Sequence, residues 1–332
     1  MPITAKDIAR ELNISQSTVS RILSGDRQHR VSEQTRRLVW ETAKRVGYQP
    51  NAVARSLRRG KTDIIGVYTN HNYDVRNEFV GTIVGALQRE CEGMDLDLLL
   101  HSGYSGSPPE LLFGKLSDGR IDGLILHATA DDALVKLLAR SKLPVVSVAD
   151  KLPGISGVIC DDADGMRQLI DHLWNKGYRR YAYIAPGMQL ASVLKRQTAF
   201  RENLKARGLG LADRREIDVQ YEEAEPVLDE LLRMGPGVVA CCWNDRTAYN
   251  LLHECYKRGI AIPSGLGVAG FDGFTARKIP LCDLVTVQCP WERVAASALE
   301  RLLVLVNQPE SADGDARQDT CLPVSILDGN SA

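Results

Sequence analysis

Apolar residues in the first 49 positions recur at the spacing of short amphipathic helices. The buried faces of the first two helices are expected to consist of Ile8, Ala9, Leu12, Val19, Ile22 and Leu23. Between them lies a three-residue turn that begins at Asn13, a residue that tolerates the left-handed backbone that ends a helix. A third helix is expected over residues 32–47. Three helices with so short a first turn predict a helix-turn-helix module over residues 1–49.

From residue 62 onward, strand-like apolar runs alternate with helical patterns. The clearest runs are DIIGVYT, IDGLILH, LPVVSVA, YRRYAYIAP, GVVACCW and LGVAGFD. Such alternation predicts parallel sheets covered by helices on both faces. Two series of it predict two α/β lobes, at about residues 62–161 and 162–287, with the remainder of residues 62–332 crossing between them. A ligand cleft is expected between the lobes, near the carboxyl ends of the strands.

Charge is divided unevenly between these two parts of the chain. Residues 1–61 hold 13 Lys and Arg against 5 Asp and Glu, a balance of +8. The whole chain carries −1, so the remaining residues carry −9. A basic segment attached to an acidic body is typical of a module that binds a polyanion, although a solvated basic face gives the same composition.

The second helix turns a set of polar side chains away from its apolar face, and Gln16, Ser17 and Arg21 are among them. Early residues of such a helix reach base edges in the major groove, while arginines such as Arg30 contact phosphates. We therefore predict binding to double-stranded DNA. The alternative interpretation of the spacing is a small helical bundle.

A short basic segment, GYQPNAVARSLRRGKT, follows the three helices. Its Pro50 stops the third helix, and Asn51 is placed to cap a new one that extends to Arg58. Two turns are too few for a helix that is stable alone in water. We predict a hinge helix within residues 50–61 that forms when it is paired over DNA, with Leu57 between base steps of the minor groove. The alternative is a basic linker.

The segment ITAKDIARELNISQSTVSRIL and the run GYQPNAVARSL resemble the LacI/GalR family of transcription regulators. The resemblance continues more weakly over nearly the whole chain and implies a body like a periplasmic binding protein. One departure is Asn13, where the family often has Gly. The DNA-binding residues expected on these grounds are Thr4, Ser15, Gln16, Ser17, Thr18, Ser20, Arg21, Arg30, Tyr48, Asn51, Ala54 and Leu57.

The same resemblance implies an effector site in the body. The segments SVLKRQTAFRENLKARG, CCWNDRTAYNLL and GVAGFDGF place Arg196, Asn244 and Asp272 at positions that contact the effector in the family. An arginine, an asparagine and an aspartate together offer the donors and acceptors that vicinal hydroxyls need. The resemblance also implies that Asp245 acts as a structural cap.

Contacts from the first lobe and from aromatic residues leave alternatives open. Members of the family usually carry an acidic residue at the end of the strand that PVVSVAD resembles. Alignment by residue count places this position at Ala149, and Asp150 lies one residue further on, so either residue is a candidate. Trp243 either faces a sugar ring or packs within its lobe. The expected effector-binding residues are Tyr73, Asn77, Phe79, His127, Asp150, Arg196, Trp243, Asn244 and Asp272.

Sequence motifs of the common enzyme classes are missing. The sequence contains no G-x-G-x-x-G after a strand, no G-x-x-x-x-G-K-[ST] and no G-x-S-x-G, and its six histidines lack metal-ligand spacing. We therefore expect no catalysis, no cofactor and no metal. Eight cysteines without a C-x-x-C pair, and an N-terminus without an apolar signal core, predict free thiols in a cytoplasmic protein without a membrane partner.

The sequence as a whole predicts a ligand-responsive transcriptional regulator. We expect a homodimer that binds a pseudo-palindromic operator and represses genes of carbohydrate metabolism in response to a sugar or sugar derivative. The alternative is a sugar-binding receptor without a primary role on DNA. That alternative predicts an export signal and no basic segment, and the sequence meets neither expectation.

Overall fold

The computed structural model of the 332-residue chain separates into two compact units, Met1–Asp63 and Ile64–Ala332, here called the head and the body. The structure describes residues 3–24, 31–49, 51–69, 77–101, 106–187, 190–219, 223–274, 282–308 and 318–332. Among these residues no helix has the length and apolar character needed to cross a membrane. The predicted fold class, a helical head followed by a two-sheet α/β body, is confirmed.

The head consists of short helices that begin and end at the residues expected from their capping chemistry. Its helices are α1 (Ala5–Leu12), α2 (Gln16–Leu23), α3 (Glu33–Arg45) and α4 (Ala52–Arg59). Asn13 ends α1 in the left-handed conformation, with φ of 51°. Ser15 begins α2, because its hydroxyl oxygen accepts a hydrogen bond from the backbone N–H of Thr18 at 3.0 Å. Ile8, Val19 and Ile22 then form the centre of the small core of the head.

The first lobe of the body is built on a six-stranded, entirely parallel sheet. Its strands are β1 (Ile64–Thr69), β2 (Asp97–Leu100), β3 (Gly123–His127), β4 (Val145–Ala149), β5 (Gly157–Cys160) and β11 (Thr320–Leu322). They lie in the order β11-β5-β4-β3-β1-β2. Helices between the strands are α5 (Glu78–Gly93), α6 (Pro109–Leu116) and α7 (Ala133–Ala139). The central strands β3 and β4 are buried along their whole length, as expected for a sheet covered on both faces.

The second lobe repeats this architecture with one reversal. Its strands are β6 (Arg180–Ala185), β7 (Arg214–Asp218), β8 (Val238–Cys242), β9 (Gly267–Asp272), β10 (Val285–Gln288) and β12 (Ser325–Leu327). They lie in the order β12-β10-β9-β8-β6-β7, and only β12 runs antiparallel to its neighbour among the described strands. Its helices are α8 (Asp162–Asn175), α9 (Ala191–Ala206), α10 (Ala224–Arg233) and α11 (Asp245–Lys257).

Three connections join the two lobes. The chain passes from the first sheet to the second after β5, returns after β10 into α12 (Trp291–Asn307), and passes again between β11 and β12. Helix α12 packs on α5 and on strands of the first sheet. Since the parallel strands of each lobe end on one edge of their sheet, residues that follow β3, β4, β8 and β9 can meet between the lobes.

Close packing between β9 and the start of α11 leaves no room for a side chain at Gly270. A Cβ atom at this position would lie 2.1 Å from Oδ1 of Asp245 and 3.0 Å from a methyl carbon of Leu284. We expect Gly270→Ala to lower the free energy of unfolding by about 2–4 kcal/mol, because backbone or the buried carboxylate must shift. Urea denaturation measures this change.

Gly85→Ala provides the matched control for this prediction. Gly85 lies in α5, where an added Cβ would meet only Nη1 of Arg89, at 4.0 Å. Removing a helical glycine there should leave stability unchanged or raise it by about 1 kcal/mol. Equal effects of the two substitutions would contradict the steric explanation.

Candidate functional site

Helix α2 exposes the polar side chains that the sequence assigns to DNA reading. Gln16, Ser17 and Arg21 are exposed, whereas Thr18 and Ser20 are half-buried. The hydroxyl of Ser15 lies 2.8 Å from that of Thr18 and 2.7 Å from that of Ser17. These contacts fix the first turn of α2. The DNA-binding residues predicted on α2 and at its start are therefore of two kinds: exposed side chains, and residues that stabilise the start of the helix.

The remaining predicted DNA-binding residues lie at the edges of the head. Thr4 precedes α1, and its hydroxyl donates a hydrogen bond to the carboxylate of Asp7 at 2.6 Å. Tyr48 is half-buried against the head core. Arg30 lies outside the described residues.

Helix α4 corresponds to the predicted hinge helix. It begins after Asn51, whose side-chain oxygen accepts a hydrogen bond from the backbone N–H of Ala54 at 3.3 Å. Ala54 is exposed, and Leu57 is 82% exposed. Such an exposed leucine on a basic helix is an apolar surface that gains from burial against a partner.

A cleft in the body brings together eight of the nine predicted effector residues. They are Asn77, Phe79, His127, Asp150, Arg196, Trp243, Asn244 and Asp272. The ninth, Tyr73, lies outside the described residues. The lining comes from the ends of β3, β4, β8 and β9 and from the starts of α5, α9, α11 and α12.

Arg196 forms the floor of this cleft and is almost fully buried. Its Nε donates to the Oδ1 of Asp162 at 2.8 Å, and its Nη1 donates to the backbone oxygen of Trp243 at 2.6 Å. The same Nη1 lies 3.6 Å from the Oδ1 of Asp272, and the guanidinium carbon lies 3.6 Å from the ring centre of Phe271. The guanidinium is therefore held from several directions by groups of the protein itself.

Two aspartates near Arg196 have unusual ionisation. Burial raises the pKa of Asp272 well above its ordinary value, and the neighbouring Arg196 only partly offsets this effect. Burial also raises the pKa of Asp245 to about 7, although hydrogen bonds from Thr286 and from the backbone of Phe274 favour its charged form. Asp272 adopts φ of 124°, a conformation that side-chain-bearing residues rarely take.

The structure corrects the expected role of Asp245. Asn244, not Asp245, caps α11, because its side-chain oxygen accepts a hydrogen bond from the backbone N–H of Thr247 at 2.8 Å. Asp245 is the first residue of the helix, and its carboxylate accepts a hydrogen bond from the backbone N–H of Phe274 at 2.6 Å. Asp245 therefore ties α11 to the segment after β9.

Asp150 connects the two lobes across the cleft. Its Oδ1 accepts a hydrogen bond from the backbone N–H of Ser192, at the start of α9, at 2.8 Å. Its Oδ2 lies 3.2 Å from Nε2 of His127, at the end of β3. Burial opposes ionisation, but the contacts with His127 and Ser192 outweigh it, so the pKa of Asp150 lies below its usual value. Ala149 also lines the cleft and has φ of 68°. Both candidates for the family's acidic position, Asp150 and Ala149, therefore reach the cleft.

Aromatic side chains form much of the cleft wall. The ring centroid of Phe79 lies 4.9 Å from that of His127 and 4.9 Å from that of Trp291, with an edge-on arrangement to Trp291. The indole N–H of Trp243 donates to the hydroxyl oxygen of Thr247 at 2.9 Å, which fixes the indole plane. Trp243 thus both lines the cleft and packs within its lobe.

Several lining residues were not predicted from the sequence. They are Glu78, Leu190, Ser192, Arg246, Phe274 and Trp291. Three of them, Glu78, Arg246 and Phe274, lie within two positions of a predicted residue, so proximity in sequence was a usable signal. Trp291 had no such signal, because it reaches the cleft where the chain returns from β10 to the first lobe.

A helix-turn-helix head and a two-lobed body with a cleft together define a ligand-responsive DNA-binding regulator. Residues 4–51 match the family model described as bacterial regulatory proteins, lacI family. Residues 170–331 match that of a periplasmic binding protein-like domain. The chain belongs to the LacI family of transcriptional regulators, and this membership confirms the prediction of a regulator rather than an enzyme.

Known proteins resemble the chain along nearly its whole length. The HTH-type transcriptional regulator GalR of Escherichia coli (strain K12) is 28% identical over 314 residues, which are 92% of this chain and 90% of that protein. The lac repressor dimer bound to operator and the anti-inducer ONPF superimposes with a TM-score of 0.85 at 22% identity, covering 100% of this chain and 99% of that one. The complex of the transcriptional regulator CelR with cellobiose gives a TM-score of 0.71 at 24% identity, covering 99% and 100%. The two structures show a shared fold.

The raised pKa of Asp245 predicts how stability depends on pH. Between about pH 4, where an unfolded aspartate titrates, and about pH 7, the native state keeps a proton that the unfolded state has lost. The free energy of unfolding should therefore fall as pH rises through this range, with a slope of up to about 1.4 kcal/mol per pH unit for this one proton. Urea denaturation at a series of pH values measures the slope.

Asp245→Asn removes this titration and should flatten the fall. Asp97→Asn is the control, because Asp97 is exposed at the amino end of β2 and should leave the slope unchanged. A slope that is the same in the wild-type protein and in Asp245→Asn would contradict the prediction.

Proposed function

We propose that the protein is a cytoplasmic repressor of carbohydrate-metabolism genes that binds a pseudo-palindromic operator as a homodimer. A sugar or sugar derivative in the body cleft sets its affinity for the operator. The observation that carries this proposal is the cleft itself, which gathers an arginine, asparagines, aspartates and aromatic rings from both lobes. This set suits a hydroxylated ring with one apolar face.

In this proposal α2 enters the major groove of the operator. Gln16 and Arg21 are long, exposed side chains on adjoining turns, and both carry donors that pair with base edges. The exposed Ser17 adds a shorter donor and acceptor. Basic residues of the head, including Arg30, contact phosphates and give the sequence-independent part of the affinity.

Helix α4 acts as the hinge helix in the minor groove. Its exposed Leu57 inserts between base steps, and the small Ala54 allows the equivalent helix of a second subunit to approach. With only eight residues, α4 has little intrinsic stability and depends on DNA and on its partner helix. A modest displacement caused by the effector can therefore melt it.

Effector binding acts through the lobes. Each lobe supplies part of the cleft, so an occupant changes the balance between open and closed arrangements of the lobes. A coupling free energy of about 1–3 kcal/mol between cleft and operator would change operator affinity by about 5- to 150-fold. The CelR complex with cellobiose, a similar fold with a sugar bound, supports a sugar as the occupant.

Operator binding and effector response test this function directly. Fluorescence anisotropy of the full chain with fragments of promoters near carbohydrate-metabolism genes should reveal a pseudo-palindromic site. A sugar panel added to the complex should then change the affinity. Binding to no fragment, with or without sugars, would overturn the proposal.

Leu57→Ala should weaken specific operator binding by about tenfold or more, because the apolar insertion into the minor groove is lost. Effector affinity, measured by thermal shift, should stay unchanged. Leu211→Ala is the control, since Leu211 is 77% exposed but lies in the body. Unchanged operator affinity in Leu57→Ala would remove this residue from the interface.

Arg196→Met should abolish the effector response while the protein still binds operator. The substitution removes the buried guanidinium that orders Asp162, Asp272 and the backbone after β8. Arg201→Met is the matched control on the same helix, because Arg201 is paired with Glu216 away from the cleft lining. A change in operator affinity in Arg196→Met equal to that of the wild-type protein, at the same sugar concentration, would exclude Arg196 from the site.

A further inference from the structure

Each of the three connections between the lobes carries a cysteine. Cys160 is the last residue of β5, where the chain leaves the first lobe. Cys289 directly follows β10, where the chain returns to that lobe through α12. Cys321 lies in β11, before the third passage. These cysteines are far apart in sequence, so it is the fold that places all three where the lobes join.

Two of these thiols are in contact. The side chains of Cys160 and Cys289 form a hydrogen bond between their thiol groups. Both residues are buried, with 1% and 6% of their surface exposed, in a core cluster that includes side chains of both lobes. Cysteine packs in protein cores as a small apolar residue, but two thiols that touch are also the reactants for a disulfide.

The third cysteine faces away from this pair. Strand β11 pairs with β5 in parallel, and Leu322 is the residue aligned with Cys160. Cys321 is aligned with Ile159, so the alternation of side chains along a strand places Cys321 on the opposite face of the sheet. Cys321 is also exposed. It is therefore a reporter thiol outside the pair.

Backbone hydrogen bonds fix the strand ends that carry the pair. The N–H of Asp161 donates to the carbonyl oxygen of Leu322 at 3.0 Å, which ties the first connection to the third. The N–H of Cys289 donates to the carbonyl oxygen of Asp272 at 3.1 Å, which ties the second connection to β9. The contact between the two thiols joins the first connection to the second.

We propose that Cys160 and Cys289 form a reversible disulfide when the protein meets a peroxide, and that this bond fixes the two lobes in their present arrangement. Any rotation of one lobe relative to the other must be absorbed by the connections between them. A covalent bond between two of these connections therefore restricts the rotation.

The oxidation balances with hydrogen peroxide as the oxidant. The sulfur of Cys289 gives up its proton and attacks one peroxide oxygen, the O–O bond breaks, and the leaving hydroxide takes up the proton as water. The sulfur of Cys160 then attacks the resulting sulfenic acid. The S–S bond forms, the S–O bond breaks, and the hydroxide leaves with the proton of Cys160 as a second water. Two thiols are oxidised, and one peroxide is reduced.

Burial makes this reaction slow. It raises the pKa of Cys289 well above the ordinary value, and the contact with Cys160 adds to this effect, whereas the charge of Arg196 opposes it. A thiol that keeps its proton is a weak nucleophile. The pair therefore resists mild oxidation and responds to sustained exposure to peroxide.

Peptide mapping tests the proposal on the full-length protein. The protein is treated with hydrogen peroxide until Cys321 is oxidised, its remaining thiols are alkylated under denaturing conditions, and its peptides are analysed by mass spectrometry. We expect a peptide pair that links Cys160 to Cys289 and that dithiothreitol separates. Cys160→Ala and Cys289→Ala should each abolish it. Cys91→Ala, which removes a thiol of the first lobe that is as buried as Cys160, should retain it.

Melting temperature gives a second readout of the same bond. Oxidation should raise it by about 5 °C or more in the wild-type protein, because the bond closes the long loop between residues 160 and 289 in the unfolded chain. Dithiothreitol should reverse the rise, and Cys160→Ala should not show it. A fall on oxidation would mean that the lobes distort to form the bond, and would overturn the claim that it fixes their present arrangement.

Oxidised Cys321 together with free thiols at Cys160 and Cys289 would overturn the proposal, and so would a disulfide from either of them to another cysteine. The linked peptide is read in the wild-type protein, so a variant that fails to fold leaves the test decisive.

The consequence for regulation rests on the proposed function. The effector should change the operator affinity of the oxidised protein less than that of the reduced protein, and an equal change would show that the bond leaves the lobes free to move. Failure to bind operator in either form would refute the proposed function and leave the peptide map standing.

Discussion

The buried guanidinium of Arg196 fixes the architecture around the cleft. An isolated guanidinium in a protein interior is very costly, so the fold must bring acceptors to it. They come from the start of α8 at Asp162, from the end of β9 at Asp272 and from the backbone after β8 at Trp243. The position of α9 relative to the second sheet is thereby determined. The ion pairs and hydrogen bonds of Arg196 thus hold the floor of the cleft in place.

Much of the fold was readable from local patterns, because those patterns have local causes. Asn13 ends α1 in the left-handed conformation that its side chain tolerates, and Ser15 caps α2 as its chemistry suggests. The alternation of apolar runs with helical segments yields two sheets of predominantly parallel strands. The exchange of β11 and β12 between the sheets lacks such a signal, since these strands have three residues each.

The cleft was predictable only where a motif marked it. Arg196 and Asp272 were predicted from the resemblance to the family. In the structure the buried guanidinium of Arg196 lies 3.6 Å from the carboxylate of Asp272, so each residue offsets the cost of burying the other. The sequence could not decide between Asp150 and Ala149 for the family's acidic position, because both residues line the cleft. Only the structure shows that the side chain of Asp150 reaches the other lobe, where it accepts a hydrogen bond from Ser192. Trp291 was missed because tertiary connectivity alone brings it there.

The hydrogen bond from Ser192 to Asp150 has a consequence for movement of the two lobes. It links a strand end of one lobe to a helix start of the other. A charge-assisted bond between buried groups contributes about 1.5–3 kcal/mol. A metabolite that separates the lobes must therefore break this hydrogen bond, whereas one that bridges the lobes leaves it in place.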